Sequence, residues 1–209
     1  METQLIFSFI TASVLLTLMP GPDNIFVITE SITKGARNGI AISTGLVSGI
    51  MVHTLAASTG LSILIQQSAL AFQILKYLGA AYLFYLAFRA FKEKRLPVNY
   101  EDKIEAPTFN FLKLMRKGFL MNVLNPKVSL FFIAFLPQFI NKDGFNIKLQ
   151  MIILGLLFMV QAILIFIAIS MLAGRLRNYL NSPRFWHFSK WGKVAVLSVL
   201  GCMLFFSKK

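Results

Sequence analysis

The sequence predicts an all-α polytopic membrane protein with six transmembrane helices. Hydrophobic residues make up 56% of the 209 residues, charged residues make up 14%, and the mean hydropathy is +0.70. A soluble domain of similar length carries more charge. The apolar residues also gather into six runs, each near the roughly 20 residues that a membrane-spanning helix needs. The runs cover about residues 5–29, 39–65, 69–91, 117–140, 148–173 and 189–206.

The first run is predicted to remain as a span and not to be removed as a signal peptide. Residues 1–4 contain no Lys or Arg, and the run leads into Pro20-Gly21-Pro22, which is not a small-residue cleavage site. Each proline removes a backbone donor and clashes with the carbonyl four residues earlier. We therefore expect a short unwound stretch, with a new helix that starts near Asp23 and is capped by Asp23 and Asn24. The partly positive N-terminus of that helix suits an anion.

A second break is predicted in span four, at Asn125, Pro126 and Lys127. Counted from the basic helix ends, Asp23 and Lys127 each lie roughly 15 Å deep in a hydrocarbon core about 30 Å thick. The two breaks are therefore expected to face one another at mid-membrane. Two interpretations of Asp23 and Lys127 remain open. One is a buried ion pair that locks the spans. The other is a site where Asp23 takes up a proton or a substrate ammonium, and where Lys127 is its switching partner or a ligand of the substrate carboxylate.

The other polar residues of the spans also leave alternatives open. Asn122, Asn125 and Ser129 share one helix face, where the asparagines either bond to carbonyls freed by Pro126 or contact substrate. Gln161 is either an interhelical hydrogen bond or a pore-lining group. His53 is interpreted as a packed neutral histidine. The pattern from Gly45 to Gly49 is G-x-x-x-G, which favours close helix packing and is the one hint of self-association.

The distribution of charge predicts topology and argues against nucleic-acid binding. The net charge is +13, but 15 basic residues fall in the loops after spans one, three and five, against 5 on the opposite side. The positive-inside rule then places the odd loops in the cytoplasm and both termini on the periplasmic or extracellular side. The remaining basic surplus favours anionic lipid of the bilayer. With one cysteine and two histidines, neither a disulfide framework nor a metal cluster is expected, and no cofactor is predicted.

The sequence predicts one transmembrane domain, 1–209, with a polar cytoplasmic linker over about 92–116. The linker separates three spans (about 1–91) from three spans (about 117–209). Related halves with an odd number of spans must have opposite orientations, which is the inverted-repeat plan of many secondary transporters. Alignment of Pro22 with Pro126 supports such a repeat, with broken helices one and four.

The segments LMPGPDNIFVITESITKGARNGIAISTGLVSG and GFLMNVLNPKVSLFFIAFLPQFI resemble the two signatures of the LysE/RhtB family of amino-acid exporters. The resemblance covers essentially the whole chain. It implies a bacterial inner-membrane exporter of amino acids or close derivatives, driven by proton exchange and often a homodimer. The family's motif positions here are Pro20, Gly21, Pro22, Asp23, Asn122, Asn125, Pro126 and Lys127. Family members vary between Asp and Asn after P-G-P, and Asn does not titrate, so the resemblance implies no general proton role for that position.

The sequence is compatible with three functions. The favoured hypothesis is a secondary transporter that exports a small zwitterion by alternating access with proton exchange. An uncoupled channel or structural membrane protein is the alternative. An intramembrane enzyme using Asp23 and His53 is disfavoured, because the sequence has no paired carboxylates, zinc-ligand cluster or serine–histidine dyad at recognisable spacing. The sequence does not distinguish among amino-acid substrates.

Overall fold

The computed structural model describes residues 3–61, 69–93, 109–141, 143–180 and 182–207, and in these ranges it contains helices and no strand. Proline and glycine at the interior breaks, and charged or polar residues at the loops, divide the apolar runs into eight α-helices. They are α1 Thr3–Leu18, α2 Pro22–Lys34, α3 Ala36–Ala56, α4 Ala69–Lys92, α5 Phe111–Val123, α6 Pro126–Leu130, α7 Ile147–Leu180 and α8 Pro183–Phe206. A π-helical turn, Ala57–Leu61, extends α3. A second π-helical turn, Phe131–Phe135, and a 3₁₀ turn, Leu136–Phe139, extend α6.

The helices account for six membrane spans when each bent pair is counted as one. Helices α3, α4, α7 and α8 are long and apolar enough to cross a bilayer alone. Helices α1 and α2 meet at 58°, and α5 meets the α6 segment at 49°. The prediction of a six-span all-α membrane protein with broken helices one and four is therefore confirmed. The inverted relation of the two halves stays a prediction.

Several helices extend beyond the predicted spans. The fourth span begins at Phe111 and not near 117, and α7 continues to Leu180. Hydropathy ends a span at the first charges, whereas Lys and Arg are good helix formers and continue the helix into the interface. Asn110 starts α5, because its Oδ1 accepts a hydrogen bond from the Lys113 backbone N–H at 2.9 Å. The end of predicted span two (62–65) and most of the linker (94–108) lie outside the described residues.

Close packing between α3 and α5 brings span two against span four. A Cβ atom on Gly45 would lie 1.9 Å from the Met115 carbonyl oxygen, and one on Gly118 would lie 2.2 Å from the Ile42 carbonyl oxygen. Gly49 faces the Asn122 side chain in the same interface. The G-x-x-x-G pattern is thus used inside the chain, between its own helices, and gives no support to self-association.

Buried phenylalanines pack together on the side of the breaks where α1 begins. The Phe9 ring lies 5.3 Å from that of Phe139, and the Phe158 ring lies 5.4 Å from those of Phe131 and Phe132. All five side chains are at most 4% exposed. We call them the aromatic cluster. The aromatic cluster joins three elements into one core beside the breaks: α1, α7 and the turns that follow α6.

Candidate functional site

The first break leaves backbone carbonyls that side chains of the site now satisfy. Helix α1 ends at Leu18, Gly21 is extended, and Pro22 begins α2. Pro20 has no N–H for the Leu16 carbonyl. The Lys127 ammonium takes that place, with its Nζ 3.3 Å from the Leu16 oxygen and 3.5 Å from the Met19 oxygen. The predicted unwound stretch is confirmed.

The expected capping of α2 by Asp23 and Asn24 is wrong. Gly21 occupies the N-cap position, so both residues lie inside the first turn and their side chains point to other helices. The Asn24 Nδ2 donates to the Thr17 carbonyl at 2.8 Å. The Asp23 carboxylate accepts a short hydrogen bond from the Asn125 Nδ2. The physical reason is that a second proline shifts the helix start to Pro22, one residue before Asp23.

The second break is closed by a histidine and not by asparagine side chains. Pro126 frees the Asn122 carbonyl, which accepts from the Asn125 backbone N–H at 2.9 Å and lies 3.2 Å from the His53 Nε2. The interpretation that asparagine side chains bond to the freed carbonyl is therefore wrong. The Asn125 Oδ1 instead caps α6 by accepting from the Lys127 backbone N–H at 3.0 Å.

The two breaks interlock, but their charges are not directly paired. Asn125 of the second break bonds to Asp23 of the first, and Lys127 bonds to carbonyls of the first. Across the described residues, ion pairs join Glu30 to Lys34 and Glu93 to Lys193, and none joins Asp23 to Lys127. The expectation that the breaks face each other is met in the structure, whereas the proposed locking ion pair is not formed.

A small cavity lies between the interlocked breaks. Its polar lining comes from Thr17, Asp23, Asn122 and Lys127, and Phe158 of the aromatic cluster contributes to its apolar wall. Its volume is about 20 Å³, room for about one water molecule. An amino acid does not fit in a cavity of this size.

The remaining residues divide into those at the cavity and those beside it. A Cβ on Gly21 would lie 3.4 Å from the Lys127 Nζ, so the missing side chain leaves room for the ammonium. Ser129 bonds to the Asn125 carbonyl at 3.1 Å, which is a local helix contact.

Sequence reasoning missed Thr17, and it left the role of Gln161 open. The structure joins them, with the Gln161 Nε2 2.9 Å from the Thr17 Oγ1.

His53→Phe is expected to loosen the second break. Phenylalanine keeps the ring that packs 5.8 Å from Phe132 but removes the donor to the Asn122 carbonyl. The loss of one buried hydrogen bond should lower stability by about 1 kcal/mol. Thermal unfolding of detergent-purified protein measures this, with the exposed His187→Phe as matched control. Equal melting temperatures for the two variants would contradict the role of His53.

The described residues contain no group of three or more His, Cys, Asp or Glu side chains that suits a metal ion. The site instead offers one carboxylate, one ammonium, side-chain amides and backbone carbonyls that bond to side chains. Such groups bind and release a small polar solute through hydrogen bonds and charge.

Comparison with known proteins identifies the family of the chain. The model of the LysE type translocator family matches residues 14–208, which include both breaks. The homoserine/homoserine lactone efflux protein of Salmonella typhimurium is 32% identical over 178 residues, covering 85% of this chain and 84% of that protein. The membrane protein YrhP of Bacillus subtilis is 30% identical over 186 residues, 86% and 88% of the two chains. No solved structure matches. The chain therefore belongs to the LysE type translocator family.

Proposed function

We propose that the protein is a secondary transporter that exports amino acids or close derivatives from the cytoplasm in exchange for protons. One observation carries the proposal: the two helix breaks interlock through Asp23, Asn125 and Lys127 around a small cavity. Charges at mid-membrane cost at least roughly 2.5–3.5 kcal/mol each, and such groups mark solute and proton pathways in transporters. The family and the efflux function named for a relative support an amino-acid type of substrate.

A zwitterion has the two charges that the site's own contacts would exchange. Its ammonium group would replace the Asn125 amide at the Asp23 carboxylate. Its carboxylate would take the Lys127 ammonium away from the Leu16 and Met19 carbonyls, near the N-terminus of α2. Each exchange substitutes one hydrogen bond for another, so substrate binding would unlock the breaks without leaving a buried charge unpaired.

Alternating access follows from this exchange. The aromatic cluster would close one side of the site, and rocking of one three-span half (about 1–91) against the other (about 117–209) would open it. We place both termini in the periplasm and the linker in the cytoplasm of a bacterial inner membrane, from the distribution of basic residues. Between substrates, protonation of Asp23 would neutralise its carboxylate and couple export to the proton gradient.

Cells that express the protein should release one chemical class of amino acid faster than cells without it. Loading the cells with dipeptides of each amino acid, and with L-homoserine and its lactone, identifies that class. Everted membrane vesicles then test the coupling. An imposed pH gradient, acidic inside, should drive uptake above equilibrium, and a protonophore should abolish it.

Two outcomes would contradict the proposal in different ways. Uptake that never exceeds equilibrium at any pH gradient would assign an uncoupled channel. If the cells release no amino acid or lactone in any condition, the proposed class of substrate is wrong.

A further inference from the structure

Three buried amide oxygens at or near the cavity have no hydrogen-bond donor among the described residues, and they belong to Asn24, Asn122 and Gln161. Two of these side chains, Asn24 and Gln161, are bonded to Thr17. Asn24 is 4% exposed, and its Oδ1 has no partner among the described residues. The Oε1 of Gln161 in α7 is likewise buried and unpartnered in the described part of the chain. Asn24 follows Asp23, and Gln161 precedes Ala162, and both of these neighbours line the cavity. A buried carbonyl without a donor destabilises the fold. A ligand that donates hydrogen bonds to the Asn24 Oδ1 and the Gln161 Oε1 would remove this cost.

The hydrogen bonds to Thr17 determine which atom of each amide, in Asn24 and in Gln161, stays without a partner. Its hydroxyl donates to the Ser13 carbonyl at 2.8 Å, so its Oγ1 can only accept from Gln161. Its backbone carbonyl can likewise only accept from Asn24. Both amides must therefore direct their NH₂ groups at Thr17, which fixes the free atom of each as a carbonyl oxygen. Thr17 itself lines the cavity.

The free atoms are hydrogen-bond acceptors, and Thr17, which orients both amides, lines the cavity together with the Asp23 carboxylate. A ligand that satisfies such a set must supply several donors and a positive charge. A primary ammonium group has three N–H donors and one charge. We propose that Asn24 and Gln161, oriented by Thr17 and assisted by Asp23, form the subsite for the substrate's ammonium group and select substrates with a free primary amine.

This inference rests on the proposed function and names the recognition at that same site. The other end of the substrate, a carboxylate or a lactone carbonyl, would bind to Lys127. The selectivity would thus come from three helices, α1, α2 and α7. An α-hydroxy acid, which lacks the ammonium, would leave the two amide oxygens short of donors and keep the Asp23 charge uncompensated.

The test uses pairs of substrates that differ only in the amine. Everted vesicles take up the labelled amino acid that the loading experiment identifies, and its α-hydroxy acid is the competitor. For L-homoserine the competitor is 2,4-dihydroxybutyrate. In Gln161→Met, which keeps the side-chain length and removes the acceptor, we expect the KM of the amino acid to rise about 10-fold. The inhibition constant of the hydroxy acid should change less than about 2-fold, because it makes no comparable contact.

Further variants separate recognition from folding. Gln161→Glu keeps an acceptor at this position and should retain the preference for the amine. Thr17→Val removes the group that orients Gln161 and should weaken the preference, whereas Thr17→Ser should keep it. Gln73→Met on the exposed face of α4 is the matched control and should behave as the wild type.

Three results would overturn the subsite. The first is a wild type that does not discriminate between the amino acid and the hydroxy acid. The second is a Gln161→Met variant in which both constants change by the same factor or not at all. The third is a wild-type KM that depends on Na⁺, with the dependence lost in Gln161→Met, which would assign the oxygens to a cation. If wild-type vesicles take up no amino acid, the proposed function fails before any variant is compared.

Discussion

Asp23→Asn is expected to yield a folded protein that exports about 10- to 100-fold more slowly than the wild type. The Asn125 Nδ2 donates to the Asp23 carboxylate, and an asparagine carbonyl at position 23 can accept the same hydrogen bond. The substitution therefore removes the charge and retains the contact between the two breaks. Export falls because neither a substrate ammonium nor a proton has a carboxylate to bind.

Lys127→Met tests the other charge. It removes the ammonium that satisfies the Leu16 and Met19 carbonyls and leaves the Asp23 carboxylate without a compensating cation. We expect less folded protein in the membrane and little export from what remains. The double variant with Asp23→Asn removes both charges, so its folded yield should rise again while its export stays low.

The measurement compares export rate with folded yield by fluorescence-detected gel filtration. Asp143→Asn in the turn before α7 and Lys148→Met at the exposed start of α7 are the matched controls. If the double variant exports as fast as the wild type, the two charges serve only the fold, and this site assignment is wrong.

Alanine at Gly45 or Gly118 is expected to separate span two from span four. The added Cβ would lie 1.9 Å or 2.2 Å from a backbone carbonyl oxygen of the facing helix, so a whole helix must move to make room. Overpacking of this kind costs about 1–3 kcal/mol. The same interface holds His53 against the Asn122 carbonyl, so export should fall together with stability.

Gly192→Ala in α8 is the control for this effect, since a Cβ there meets nothing within 4 Å. Alanine is the better helix former by about 1 kcal/mol, so this variant should be as stable as the wild type or slightly more so. Melting temperatures measured in one detergent compare the three variants. Equal melting temperatures would show that the close approach of α3 and α5 is not needed.

Local chemistry explains why so much of the fold was predictable. The number of spans follows from hydropathy, because the bilayer accepts only apolar helices of a certain length. The breaks follow from Pro20, Pro22 and Pro126, since a proline removes a donor wherever the chain places it. The expectation that the two breaks lie close together follows from the direction of the chain in spans one and four and from the depth of each break in the bilayer. The helix ends were less predictable, because Lys and Arg continue a helix after hydropathy has ended.

The partners within the site were decided by tertiary structure. The sequence left open an ion pair between Asp23 and Lys127. In the structure the Asn125 amide donates to Asp23, and Lys127 bonds to the Leu16 carbonyl that Pro20 frees. His53 and Gln161 looked like isolated polar residues until the packing of α3 and α7 set them against the breaks. These contacts join residues 69 to 144 positions apart, and hydrogen bonds tolerate errors of only a few tenths of an ångström. The sequence by itself determined the helices and where they break, whereas the angles at which they pack determined which side chain satisfies each freed group.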